Sequence, residues 1–307
     1  MIKNLILGGA GFIGSHLCER LLETGKVVCV DNLSIGKRDN IKHLIKEPGF
    51  AFHEVDILNQ KDFESVFRTH SFDAVFHFAA NSDISKGDAQ RDFRDTLSTT
   101  LVILEKMRVR AIKKLVFASS GAIYGESNQT LREDSGTFPI SHYAAAKLSS
   151  EAFISSYCSM YDIQSWICRL PSVIGERVTH GIAFDFINKL KKDPKVLNVL
   201  GNGKQTKPYM YVGDLIDAIL YVFDYASDRI NYFNFAGIGR TSVKEIAEIT
   251  VKAFGQKTKI VFDGKDKGWD GDVTDYDPSV VKLGNLGYVC KRTSNEAVEY
   301  SIKQLLK

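Results

Sequence analysis

Cysteine is sparse and carries no pattern. The five residues, Cys18, Cys29, Cys158, Cys168 and Cys290, are odd in number and nowhere spaced as CxxC. Neither a disulfide framework nor a structural zinc site follows, and buried reduced thiols are the expectation. No apolar run is long enough to span a bilayer. A dominant charge is missing too, because 40 Lys and Arg face 37 Asp and Glu for a net charge of +3. No basic stripe interleaves with aromatics, so neither nucleic acid nor membrane is an expected partner. Internal repeats and low-complexity tracts are absent. The opening "MIKNLILGGAGFIG" has a lysine before an apolar run but lacks an A-x-A cleavage site. It reads better as a first strand than as a signal peptide, and a cytoplasmic protein is expected.

What is present is ordinary globular material: 307 residues, 44% hydrophobic and 25% charged. That length suits two domains, or one large domain with an elaboration. Short β-branched runs at 4–9, 26–31, 50–56, 73–80, 113–120 and 163–170 alternate with helical stretches such as 12–24, 89–110 and 142–161. The alternation predicts an α/β fold: a Rossmann-type, doubly wound parallel sheet buried on both faces. After about residue 170 the rhythm loosens, and Pro171, Pro194 and Pro208 interrupt it. A helix at 212–226 and a strand at 231–237 return to the first domain. The expected division is therefore 1–170 with 211–237 for a dinucleotide, and 171–210 with 238–307 as a smaller mixed α/β C-terminal substrate domain.

The first strand runs into "GGAGFIG", with Gly8, Gly9, Gly11 and Gly14 ahead of a helix. Strand, glycine turn and helix together are the context a pyrophosphate site needs. Asp31 closes the second strand. A carboxylate there accepts hydrogen bonds from a ribose and repels a 2′-phosphate, which favours NAD over NADP. In "HYAAAK", Tyr143 and Lys147 stand four apart on a helical stretch, hence on one face. Alone, such a pair is an ordinary surface feature. The fifth strand, however, ends in "SSGAIYG", and ligands of open α/β sheets lie beyond the carboxyl ends of strands. Ser120 would then join Tyr143 and Lys147. The ammonium would favour a phenolate, which takes a hydroxyl proton while NAD takes the hydride.

"GGAGFIG", Asp31 in "DNLSIG", Asp56-Ile57, "FHFAAN", "SSGAIYG" and Tyr143-x-x-x-Lys147 together resemble the extended short-chain dehydrogenase/reductase superfamily. Within it, the chain is similar to the NAD-dependent sugar-nucleotide epimerase/dehydratase family. "GNGKQTKPYMYVGDLIDAI" (201–219) extends the likeness into the second half. The resemblance implies that Gly8, Gly11, Phe12 and Ile13 line the pyrophosphate, with Asp31, Asn32 and Ser34 at the adenosine ribose. It implies Asp56 and Ile57 at adenine, and Phe78, Ala79 and Ala80 beneath the cofactor. Pro171 and Val173 would lie against the nicotinamide. Ser120, Tyr143 and Lys147 would be catalytic, with Lys147 also on the nicotinamide ribose. Ser120, Tyr143, Ser172, His180 and Lys207 would meet a nucleotide-diphosphate sugar. A homodimer through the helices 89–110 and 142–161 is implied as well.

The departures sharpen the expectation. Family dehydratases carry Asp and Glu directly after the serine or threonine, where this chain has Gly121 and Ala122, which argues against dehydration. Leu7 replaces the usual Thr before the first glycine. Asp95 and Ser172 replace common Asn residues, Lys207-Pro208 replaces Arg-Asp, and Lys267 replaces an Arg. Lysine keeps the charge but not the bidentate fork. His77 and Cys168 read as core, "KLKKDPK" (189–195) as a solvated helix end, and Trp269 as packing or a cover for the substrate mouth. No metal is expected. Three functions compete: an NDP-sugar 4-epimerase working through a 4-keto sugar, a net 4-dehydrogenase whose NADH is reoxidised by a second substrate, and a non-catalytic dinucleotide sensor. The epimerase is preferred because the serine, tyrosine and lysine are all kept and the dehydratase acids are not.

Overall fold

The computed structural model describes residues 2–81, 87–265, 273 and 276–307. Lys267 and Trp269 lie outside the described residues. Seven strands form the central sheet: β1 (Lys3–Leu7), β2 (Lys26–Asp31), β3 (Phe50–Glu54), β4 (Ala74–His77), β5 (Lys114–Ser120), β6 (Gln164–Leu170) and β7 (Ile230–Asn234). Every pairing is parallel, in the order β3-β2-β1-β4-β5-β6-β7. The order reverses between β1 and β4, and a crevice opens at such a switch point beyond the carboxyl ends.

Helices cover both faces. α1 (Phe12–Leu22) packs on one side, and α2 (Gln60–Thr69) on the other. The stretch expected as one helix at 89–110 is three pieces: α3 (Ala89–Asp92), a π-helical turn (Phe93–Ser98) and α4 (Thr99–Arg110). α5 (His142–Tyr161) lies beside α4, α6 (Ile182–Lys192) follows in the second half, and α7 (Val212–Tyr225) packs against α1. Strand side chains alternate between two cores, since their period is two. Ile6 joins Leu17, Leu215 and Ile219 on one face; Leu5 and Leu7 join Phe63, Ile103 and Ile154 on the other. Each such fully buried side chain contributes about 1.5–3 kcal/mol, which is why the strands read as continuous apolar runs.

The strands stop earlier than their apolar runs suggest. β1 ends at Leu7 rather than 9, β3 at Glu54 rather than 56, and β4 at His77 rather than 80. The residues just beyond these ends, Gly8, Asp56 and Phe78 to Ala80, line the crevice.

A third core holds the second half together. There α6 packs with α8 (Val243–Phe254) and α10 (Ser294–Leu305) through Phe186, Leu190, Ile246 and Val298, while α9 (Val281–Asn285) lies under β7. Short strand pairs join the halves: Val173–Ile174 runs parallel to Met210–Tyr211, and Thr206–Lys207 antiparallel to Thr241–Ser242. Among the described residues no helix is long and apolar enough to cross a membrane.

Candidate active site

A cleft of about 860 Å³ lies where the two halves meet. Every residue singled out above for cofactor or substrate lines it, from Gly8, Gly11, Phe12 and Ile13 through Asp31, Asn32, Ser34, Asp56 and Ile57 to Phe78, Ala79 and Ala80. Ser120, Tyr143, Lys147, Pro171, Ser172, Val173, His180 and Lys207 complete the set.

The glycine turn is a fitted cradle. Gly8 adopts φ +76°, and a Cβ there would stand 2.6 Å from the backbone nitrogen of Ala79. Only glycine allows that approach. Gly11 then opens α1 with no side-chain cap, so the helix presents its first N–H groups as an anion site. Asp31, 8% exposed, is fixed at the end of β2. Its Oδ2 accepts the Ala10 N–H at 3.0 Å and its Oδ1 the Leu33 N–H at 2.8 Å. Burial pushes this carboxyl up, and the backbone donors oppose the rise. Gly11 is a further backbone donor to it, and three donors leave the carboxylate acceptor capacity for a ribose hydroxyl. Bare helix end, glycine cradle and terminal carboxylate are the donor and acceptor set a dinucleotide needs, so the residues fit NAD.

Ser141 caps α5 by accepting the Ala144 N–H at 3.2 Å. The cap places Tyr143 in the first turn and Lys147 one turn on, both facing the end of β5. Tyr143 and Ser120 share a hydrogen bond. Ser120 Oγ also accepts the Ala122 N–H at 3.2 Å, which fixes its rotamer. Lys147, 2% exposed, donates from Nζ to the Ala118 carbonyl at 2.5 Å and lies 5.8 Å from the Tyr143 ring centroid. Burial lowers the Lys147 ammonium to about 7 against the pull of Glu151. Burial likewise raises the Tyr143 phenol to about 12, with the Ser120 bond opposing and Asp92 adding to the rise. This corrects the expectation that the lysine brings the phenol down: in the unliganded site desolvation dominates at Tyr143 and no lowering by Lys147 is seen.

A buried network supports this corner from behind. Glu151, one turn beyond Lys147, is 3% exposed and pairs with Arg169 of β6 at 2.8 Å. Ser119 donates to Glu151 at 2.5 Å, beside Ser120. Arg169 also donates to Tyr124 Oη at 2.6 Å and to the Glu133 carbonyl at 2.8 Å, and Tyr124 donates to Asn234 of β7 at 2.8 Å. Removing one partner of a buried pair of this kind costs about 3–5 kcal/mol.

Several residues of the cleft have no sequence signal as clear as the motifs. Asn81 closes the "FHFAAN" motif, which assigns it no role; it donates to buried Asp92 at 2.7 Å. Tyr276, 5% exposed, lies far along the chain, and its ring packs on Gly121. Gln205, Tyr209, Val178 and Phe184 also face the cleft. Asp95 lines it too, held by Arg91 at 3.3 Å and Arg94 at 2.7 Å. His77 is fully buried with Nε2 3.2 Å from Thr100 Oγ1, and burial lowers it to about 3. It is core, as is Cys168.

Residues 4–235 match the NAD dependent epimerase/dehydratase family. The putative UDP-glucose 4-epimerase of Methanocaldococcus jannaschii is 32% identical over 294 residues, 92% of each chain. A solved UDP-galactose 4-epimerase superposes with a TM-score of 0.88 at 32% identity, covering 99% of both chains. The UDP-glucuronic acid 4-epimerase from Bacillus cereus, solved with UDP-glucuronic acid and NAD, superposes with a TM-score of 0.90 at 27% identity, again over 99% of both.

Proposed function

The chain belongs to the NAD-dependent epimerase/dehydratase family and is an NAD-dependent sugar-nucleotide epimerase, and we propose that it inverts C4 of a UDP-sugar through a 4-keto intermediate. Convergence of Ser120, Tyr143 and Lys147 at one end of the cleft carries this reading. The base follows the relatives, which act on UDP-sugars.

When bound, NAD supplies the reversible two-electron acceptor for C4 and a positive charge that favours a phenolate. The protein's part is proton handling and orientation. Tyr143 takes the proton from the C4 hydroxyl and returns it after the ketone has turned in the cleft. Ser120 holds the same oxygen by a hydrogen bond. Lys147, anchored on Ala118 one helical turn from the phenol, carries a proton it can exchange near neutral pH and would reach the cofactor ribose. Gly8, Gly11, Phe12 and Ile13 hold the pyrophosphate; Asp31, Asn32 and Ser34 the adenosine ribose; Asp56 and Ile57 the adenine. Phe78, Ala79 and Ala80 support the cofactor from below, with Pro171 and Val173 at the nicotinamide. Ser172, His180 and Lys207 contact the sugar nucleotide. Gly121 and Ala122 offer no carboxyl for expelling a hydroxyl, which sets the site apart from a dehydratase.

The same reading assigns 1–170 with 211–237 to the cofactor and 171–210 with 238–307 to the substrate. It takes the protein as a homodimer through the helices 89–110 and 142–161, where Val109, Phe153 and Met160 are 61%, 43% and 65% exposed. Five free thiols suit the reducing cytoplasm.

The test uses purified protein and a panel of UDP-sugars without added cofactor. One sugar is converted to its C4 epimer, and deuterium placed at C4 stays on the sugar. Release of one equivalent of ketosugar, with turnover resuming only after a second carbonyl compound is added, would instead establish a net dehydrogenase.

A further inference from the structure

The segment after β6 leaves the sheet at Pro171 and returns to the cleft as Val178, Thr179 and His180. Between these points it is tied to α1, the helix that starts at the glycine cradle. Arg177 donates to Glu19 Oε1 at 2.5 Å and to Ser15 Oγ at 3.2 Å. His16 lies 3.2 Å from the Glu176 carbonyl, and Tyr211 donates to the Glu176 carboxylate at 3.1 Å. Glu19 is also met by His43 at 2.5 Å and His16 at 3.5 Å. Burial pushes Glu19 up, but His16 and Arg177 hold it down at about 2, so the bridge is charged across the working pH range.

The backbone marks this tie as imposed from outside. Arg177 adopts φ +68°, a left-handed conformation unfavourable for an arginine. Such strain persists where surrounding contacts over-determine it. Here the contacts come from α1, more than 150 residues away in the chain. The Arg177 and Glu19 side chains are 24% and 30% exposed, partly screened from water and so stronger than a fully solvated pair.

We propose that Arg177 is a positioning residue for cofactor retention: bridged to Glu19 and Ser15, it latches the adjoining 178–181 wall of the cleft onto α1 and slows escape of the dinucleotide. This rests on the assignment of the cleft to NAD. An epimerase returns its cofactor to the starting oxidation state in every cycle, so a slow exit costs it no turnover.

Protein stripped of nucleotide and reloaded with NADH reports release by its fluorescence when diluted into excess NAD. Arg177→Gln and Glu19→Gln should each release NADH about tenfold faster than wild type, the effect of losing roughly 1.4 kcal/mol. The double variant should be no faster than either single, because both break one bridge. Epimerisation by the variants should depend on added NAD, with kcat restored at saturation. Unchanged release in both single variants would overturn the latch, as would effects that multiply in the double variant. Wild-type protein that takes up no NADH would overturn the assignment of the cleft itself, and the latch with it.

Discussion

The edge of the Tyr276 ring occupies the space beside Gly121: a Cβ at position 121 would stand 2.7 Å from Tyr276 Cε2. The ring has little room to retreat. The Ser172 backbone bonds its hydroxyl, and Arg240 donates to its carbonyl at 2.7 Å. Gly121→Ala should therefore destabilise the protein by about 1–3 kcal/mol in denaturant titration, through overpacking. Gly121→Asp should lose more and yield no dehydrated sugar, since the added carboxyl has no cavity to enter.

Replacing the Tyr143 hydroxyl separates chemistry from structure. Tyr143→Phe keeps the ring between the cleft and α5. Turnover should fall by about 10²–10⁴-fold, the usual worth of a positioned acid/base group. NAD content and melting temperature should stay near wild type, as read by nucleotide release on denaturation and by calorimetry.

Lys147 makes the unliganded protein sensitive to pH. Burial holds its ammonium at about 7 in the folded chain, against 10.5 when free. Between those values the unfolded chain binds the proton and the folded chain does not. Unfolding free energy should then rise with pH across this window, by at most about 1.4 kcal/mol per unit from this group. Lys147→Met should flatten the slope, which denaturant titrations at pH 7 and 9 would measure.

Asp31 should set the choice of dinucleotide. Wild-type protein should bind NAD more tightly than NADP, by calorimetric titration of the stripped protein. Asp31→Ala should narrow that gap. It should also weaken both ligands, because the carboxylate anchors Ala10 and Leu33 of the turns around the cleft.

Charge on the exposed face of α5 should test the assembly. Phe153→Glu combined with Met160→Glu should leave the fold intact and shift the mass in light scattering from dimer to monomer. A dimer that survives both changes places its interface elsewhere.

Much of this was legible in the sequence because it rests on local rules. Continuous apolar runs mark doubly covered strands, and Gly8, Asp31 and the Tyr143–Lys147 pair each announce a turn, a strand end or a helix face. What escaped depends on distant parts of the chain. Tyr276 reaches the cleft from beyond residue 270. The π-helical turn at Phe93–Ser98 interrupts a stretch whose composition reads as plain helix. The upward shift of the Tyr143 phenol is a matter of depth, and spacing of four residues conveys no depth.

The network behind Ser120 and Lys147 has a consequence for the order of assembly. Tyr124 meets a partner 110 positions away in Asn234, Asn234 takes Glu133 from 101 positions away, and Arg169 meets Tyr124 across 45. Closing such long loops is entropically slow, and non-local contacts form late. During synthesis the first five strands can pair while the network is still open, because its last member emerges only with residue 234. The backing of the reactive corner is thus set after the sheet that carries it. A nascent chain stalled short of β7 would hold a dinucleotide cradle with no finished corner for chemistry.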